Sequence, residues 1–220
     1  MKVVRGSLEG LKGVPKNGLC IGIHRAGTMH KRVADKLNHP VTIWSMRPDN
    51  EFLAYDPKEY EGKGLSATGD LDDVEGSVIF GVRGAPPKVR EEAAKRGLEV
   101  VADATCPYVA EQEEAAVKLL EEGYNLVILS DPNHHGATRI KGIAEKMERP
   151  LFIIDHEDDV DKITLMRQEP LGVIVQTTFW METYKAIMAR ILERFSNVRV
   201  RNTACVDSLQ RLPVIAELAQ

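Results

Sequence analysis

"VVADATCPYVAEQEEA", residues 100–115, carries a strand-like apolar run into an Asp-Ala-Thr-Cys-Pro corner and then into a helical pattern. Pro107 suits the first position of that helix, where no N–H is needed. A cysteine therefore stands where a buried strand hands over to a helix. "RVRNTACVDSLQRL", 199–212, repeats the arrangement around Cys205, and Cys20 in "NGLCIGIHRAG", 17–27, opens another predicted helix. These three are the only cysteines in 220 residues.

Outward from the corner, short apolar runs alternate with amphipathic ones. Strands are predicted at "VTIWS" 41–45, "VIFGV" 78–82, "LEVVA" 98–102, "LVILS" 126–130, "LFIID" 151–155, "GVIVQ" 172–176 and "VRV" 198–200. Most are continuously apolar, as strands covered on both faces tend to be. In "ETYKAIMARILERF", 182–195, Tyr184, Ile187, Met188, Ile191, Leu192 and Phe195 keep three-and-four spacing and form one helical stripe predicted to be buried. The β-α-β-α order implies an α/β fold with mostly parallel sheets.

Residues 46–76 are a Pro/Gly/Asp-rich break without clear period. The expected organisation is a first α/β unit over 1–104 with Cys20 and a second over 105–201 with Cys106. A C-terminal helical segment over 202–220, carrying Cys205, reads as the start of a third unit.

The net charge of −4 and pI near 5.9 speak against a nucleic-acid binder, which carries a basic surface. "MKVVRGSLEGLKG" at the start lacks the apolar core of a signal peptide, and no apolar run reaches membrane-spanning length. A cytoplasmic protein with no membrane association is expected. An odd number of widely separated cysteines is not a disulfide framework.

Ligands of parallel α/β sheets gather outside the carboxyl ends of the strands. Helix N-termini point there too, and their partial positive charge favours thiolates. Three thiols converging at that edge suit an iron–sulfur cluster or zinc. A four-iron cluster on three cysteines keeps one iron free of protein, open to act as a Lewis acid on a substrate oxygen. The plain alternative is that each cysteine is an ordinary buried packing residue.

Local words add to this. "CIGIHRA" 20–26, "VIFGVRGAPPKVREEA" 78–93, "DATCPYV" 103–109, "QTT" 176–178 and "NTAC" 202–205 occur in one order that resembles the LytB/IspH family, the hydroxymethylbutenyl diphosphate reductases of non-mevalonate isoprenoid synthesis. The resemblance implies that Cys20, Cys106 and Cys205 hold a [4Fe–4S] cluster amid pseudo-equivalent α/β units. It also implies an oxidoreductase that spends two electrons and protons to remove an allylic hydroxyl as water.

The sequence departs from the family words at several points. The family's His-Asn pair reads Asp49-Asn50, and its Ser-Ala-His-Gly word reads Gly81-Val82-Arg83-Gly84. Its Gly-His-Pro-Glu loop reads "SDPNHHGATRIKG", 130–142, where His134 corresponds to the histidine and the glutamate has no counterpart. The Thr-Asn-Arg-Gln word appears only as "DSLQ", 207–210, and fifteen residues follow Cys205 where the family has a third unit with a Ser-Ser-Asn word.

From the resemblance, His134 and Thr177 are the expected catalytic residues, with His134 taking over the glutamate's proton transfer. Arg83, His135, Thr178 and Asp49 are the expected substrate-binding residues. Asp49 would repel a diphosphate and Arg83 would return one positive charge, so an altered substrate is expected. With no dinucleotide-binding glycine word, electrons must come from outside, from a donor such as a ferredoxin or flavodoxin. A homo-oligomer or a second subunit would supply the missing wall. Two further readings stand beside this one: a metal-free enzyme with Cys106 as nucleophile and His134 as base, and a non-catalytic cluster-carrying subunit.

Overall fold

The computed structural model describes residues 19–52, 64–74 and 76–211. Residues 1–18, residues 53–63 and 75 of the Pro/Gly/Asp-rich break, and the end of the C-terminal segment, 212–220, lie outside the described residues, and the reading of the opening stretch 1–13 falls there with them.

Two four-stranded sheets, every pairing parallel, make the framework. In the first, β1 (Val41–Trp44), β2 (Leu65–Thr68), β3 (Ser77–Phe80) and β4 (Glu99–Asp103) lie in the order β2-β1-β3-β4. In the second, β5 (Asn125–Leu129), β6 (Leu151–Ile154), β7 (Leu171–Val175) and β8 (Val198–Arg201) lie in the order β6-β5-β7-β8, the same order moved four strands along. The inner strands β1, β3 and β7 are buried along their whole length, and β5 along all but its first residue. Their largely apolar sequences reflect cover on both faces.

Among the described residues five helices accompany the sheets: α1 (Ile21–Lys36), α2 (Pro87–Lys95), α3 (Pro107–Glu121), α4 (His135–Lys146) and α5 (Met181–Arg194). Residues 206–211 begin a further helix. Helices α3 and α4 pack together, and α4 also meets α2, so helices join the two sheets. Each four-stranded set has its own core, with Trp44, Val78 and Phe80 in one and Val127, Val173 and Ile187 in another.

Two expectations need correction. Strand β2 sits inside the stretch read as a patternless break, because a partly exposed edge strand carries little apolar signal. Leu192 is 58% exposed, so the buried stripe of α5 is narrower than its spacing implied. At the end of β6, His156 and Asp159 form a capping box on the 3-10 turn Glu157–Lys162.

At the carboxyl edges the two sheets extend by the same backbone bonds. Ser45 N–H donates to Thr68 O and Ser130 N–H to Ile154 O. Gly81 N–H donates to Trp44 O and Gln176 N–H to Leu129 O. Cys106 N–H donates to Val82 O and Cys205 N–H to Thr177 O, both at 2.8 Å. Two of the three cysteines are thus hung from the residue two places past an inner strand.

A three-thiol cavity as the candidate active site

Each thiol sits where a helix starts. Cys20 is the N-cap of α1, its sulfur accepting from Ile23 N–H at 3.4 Å, and Cys106 is the N-cap of α3. Cys205 immediately precedes the helical residues 206–211. The corner before Cys106 is locked by Asp103, whose carboxylate accepts from the Thr105 N–H and hydroxyl and pairs with Arg90 at 2.8 Å. Arg25 of α1 donates to Thr105 O, and Arg211 donates to Leu19 O, so side chains tie the three helix starts together.

A cavity of about 200 Å³ lies between them, lined by Cys20, Cys106 and Cys205 together with Val82, Arg83, Tyr108, His134, His135, Thr177, Thr178 and Asp207. The three sulfurs influence one another: burial first, then the charges of Cys205 and Cys20, push the Cys106 thiol above its ordinary value. Gly22 marks how close the first turn of α1 comes, for a Cβ there would lie 2.6 Å from Cys106 Sγ and 3.8 Å from Cys20 Sγ.

The cavity wall is electropositive. Arg83 lines it with Nη1 buried and unbonded, and burial draws its pKa down. Behind the wall Arg139, 1% exposed, bonds Glu113 at 2.7 Å and Gln112 at 3.2 Å. His134 is the N-cap of α4, its Nδ1 accepting from Gly136 N–H at 3.0 Å, which leaves the ring proton on Nε2. Burial, followed by the charge of Arg139, lowers its pKa to about 4; burial, His134 and Arg83 lower that of His135 to about 3. Both rings, 3.8 Å apart, are neutral at pH 7. Thr177 and Thr178 reach the cavity on a loop held by Gln176, whose amide donates to Thr178 Oγ1 and whose carbonyl accepts from Ser130.

The structure brings together Cys20, Cys106, Cys205, Arg83, His134, His135, Thr177 and Thr178. Asp49 does not join them; it is exposed on the 3-10 turn Pro48–Asn50 and is absent from the lining. The thiol-nucleophile reading is not favoured: burial raises the Cys106 pKa against the lowering by the Tyr108 and Val109 N–H groups of the helix start, and His134 Nδ1 already accepts from Gly136 N–H. His134, neutral at pH 7, has one N–H to offer the cavity. Glu51, Gln112, Arg139 and Gln176 escape the sequence reading. Only Gln176 carried a signal, as part of the Gln-Thr-Thr word.

The LytB protein family model matches residues 13–220. The 4-hydroxy-3-methylbut-2-enyl diphosphate reductases of Geobacter sulfurreducens, Methylibium petroleiphilum and Pelobacter propionicus are each 30% identical to the chain, over 86%, 89% and 92% of it. The chain spans 64%, 57% and 69% of those relatives' own length. A changed substrate finds no support in these three, which share one name. A solved structure of (E)-4-hydroxy-3-methyl-but-2-enyl diphosphate reductase superimposes with a TM-score of 0.73 at 26% identity, covering 91% of this chain and 70% of that one. The Plasmodium falciparum reductase structure gives 0.77 at 22% identity, covering 90% and 62%, a likeness of fold. Among the described residues no helix is long and apolar enough to cross a membrane. Sequence and fold agree, and the chain belongs to the LytB protein family.

Proposed function

We propose that the chain is an iron–sulfur reductase that removes an allylic hydroxyl from a small substrate with a diphosphate head, R–OH + 2 e⁻ + 2 H⁺ giving R–H and water. The observation that carries it is the meeting of all three cysteines on one electropositive cavity.

The donor set fits a cluster better than a single ion. Among the described residues no three His, Cys, Asp or Glu side chains are grouped to hold one metal, and a tetrahedral zinc would need sulfurs roughly 3.8 Å apart. Thiols spread around a cavity, with Gly22 leaving room between two of them, suit a larger core. Cys20, Cys106 and Cys205 would hold a [4Fe–4S] cluster, which when bound supplies one-electron transfers and an open Lewis-acidic position.

The remaining work belongs to the chain. The Arg83 guanidinium has an unbonded N–H for a phosphoryl oxygen, and the starts of α1, α3 and α4 aim N–H dipoles at the same space. His134 offers its Nε2–H as a hydrogen-bond donor. The Thr177 hydroxyl, on the loop hung from Cys205, is placed to hold the substrate hydroxyl and pass it a proton. Val82 and Tyr108 wall the cavity against bulk water. Electrons come from an outside one-electron carrier of the ferredoxin or flavodoxin kind.

Anaerobically reconstituted protein is expected to be brown, with about four iron and four sulfide per chain. Each Cys→Ser variant should lose most of that iron. With a low-potential reductant, the loaded protein should convert 4-hydroxy-3-methylbut-2-enyl diphosphate to the deoxygenated diphosphates. Failure to take up iron overturns the cluster, and full loading without turnover overturns the reaction.

A further inference from the structure

The carboxyl edges of the two sheets share one bonding scheme, and one slot in it is filled by different means. In the second sheet Gln176, the first residue past β7, sends its side chain into that slot. It accepts from the Ser130 hydroxyl at 2.8 Å and Asp131 N–H at 3.2 Å, and donates to Thr178 Oγ1 at 2.9 Å. It thereby fixes the loop that carries the two threonines into the cavity.

The equivalent residue past β3 is Gly81, which has no side chain to send. The space above it is taken: a Cβ on Gly81 would fall 2.6 Å from Oε1 of Glu51. Glu51 comes from the turn after β1 and is 2% exposed. Its Oε1 accepts from the Ser45 hydroxyl at 2.6 Å, and Ser45 is the counterpart of Ser130. Its Oε2 accepts from Val82 N–H at 3.1 Å. Gly84, at φ +72°, closes the loop by donating to Gly81 O. Arg83 lies between the two fixed points, as Thr178 lies beyond Gln176.

We propose that Glu51 is the positioning residue for Arg83. Its carboxylate stands in for the Gln176 side chain and holds the Gly81–Gly84 loop so that the guanidinium faces the cavity. Burying a carboxylate is costly unless its oxygens are bonded; here the Ser45 bond orients the carboxylate from the end of β1, and the Val82 bond fastens the Arg83 loop to it. Burial pushes the Glu51 pKa up while the Ser45 and Val82 bonds and the Arg83 charge draw it down, which is consistent with a structural acceptor. This inference rests on Arg83 acting as the anion clamp.

The test is pyrophosphate binding by calorimetry to the cluster-loaded full chain, with iron content measured in parallel. Glu51→Ala is expected to weaken binding about tenfold at unchanged iron content, the loss of one well-placed contact. Glu51→Gln can accept from Val82 N–H and donate to Ser45, so it should bind within about threefold of wild type. In an Arg83→Ala background Glu51→Ala should cause no further loss. Equal weakening by Glu51→Ala in both backgrounds overturns the inference. So does wild-type binding by Glu51→Ala when Arg83→Ala is weakened, an outcome that leaves the clamp standing. Wild-type binding by Arg83→Ala overturns the clamp and this inference with it. Should Glu51→Ala not fold, Ser45→Ala removes one of the two bonds; about threefold weakening supports the inference, and none overturns it.

Discussion

Gly22→Ala should separate the stability of this chain from its ability to hold a cluster. A methyl at position 22 would stand 2.6 Å from Cys106 Sγ and 3.2 Å from Cys106 Cβ. Relaxed contacts of this kind lie near 3.5–4.0 Å, so about 1 Å of overlap must be relieved. The Cys106 backbone cannot give: its N–H is bonded to Val82 O, and its carbonyl accepts from the Val109 and Ala110 N–H groups. What can move is the sulfur, by rotation about χ1, which turns it away from the space it shares with Cys20. That rearrangement costs about 1–3 kcal/mol as overpacking. Alanine in the first turn of α1 recovers up to about 1 kcal/mol relative to glycine. The net loss, about 0–3 kcal/mol, lowers the melting temperature of the cluster-free protein by at most about 12 °C for a chain of this size. Iron uptake should fall far more, because one of three ligands is turned out. The assay is anaerobic reconstitution followed by iron and sulfide determination, beside thermal unfolding of the cluster-free form. Full iron occupancy with a wild-type visible spectrum would refute the reasoning, since it would mean that the Cys106 sulfur need not occupy the position beside Gly22.

Glu113→Ala strips the buried Arg139 of its ion-pair partner, 2.7 Å away, and should cost about 3 kcal/mol, toward the low end for buried pairs because water reaches Glu113; an unchanged urea midpoint would count against it. Burial lowers the His30 pKa to about 4, below the 6.5 of an unfolded histidine, so the stability gained from keeping it neutral is present above about pH 6.5 and lost as pH falls toward 4. Between about pH 7 and pH 5 that loss is roughly 2 kcal/mol, and His30→Leu should remove it from the pH dependence of urea unfolding; Glu51, with a raised pKa, acts in the opposite sense in both proteins. Gly84→Ala must hold φ at +72° and push on Thr105, and should destabilise the chain by about 1–2 kcal/mol, read from the same midpoints.

What the sequence made legible, and what it hid, follows from burial. Strands β1, β3, β5 and β7 announce themselves because cover on both faces demands apolar residues at nearly every position. β2 gives no such sign, since "LSAT" at a half-covered edge meets no comparable demand. The Cys106 corner is readable because a proline at the first helical position and an apolar run before it fix the hand-over point. Glu51 was not readable. Its neighbours Asp49 and Asn50 form an ordinary polar turn, and only the missing side chain at Gly81, thirty positions on, creates the room that buries it. A local word marks Asp49, whereas the carboxylate buried against the Arg83 loop belongs to Glu51, two places later. Leu192 shows the complementary limit: three-and-four spacing finds a face but not the width to which a neighbour covers it.

The electrostatics of the cavity explain why thiols, arginines and helix starts are gathered at one edge. Arg83 and Arg139 act as like charges on each other, and both lose proton affinity through burial. His134 and His135 answer the same field by staying neutral. The helices α1, α3 and α4 add their positive ends. The Glu113 carboxylate answers Arg139 and the Glu51 charge acts on Arg83, and the sheets hold the gathered groups in place. Thiolates relieve one side of that field, and an anionic head against Arg83 relieves the other. The repeated sheet is what makes the arrangement available: two copies of one order, set edge to edge, place equivalent loops on either side of a single space. Once there, the copies are free to differ, an arginine facing the cavity in one and a threonine in the other, provided that each loop keeps a buried polar group to hold it still.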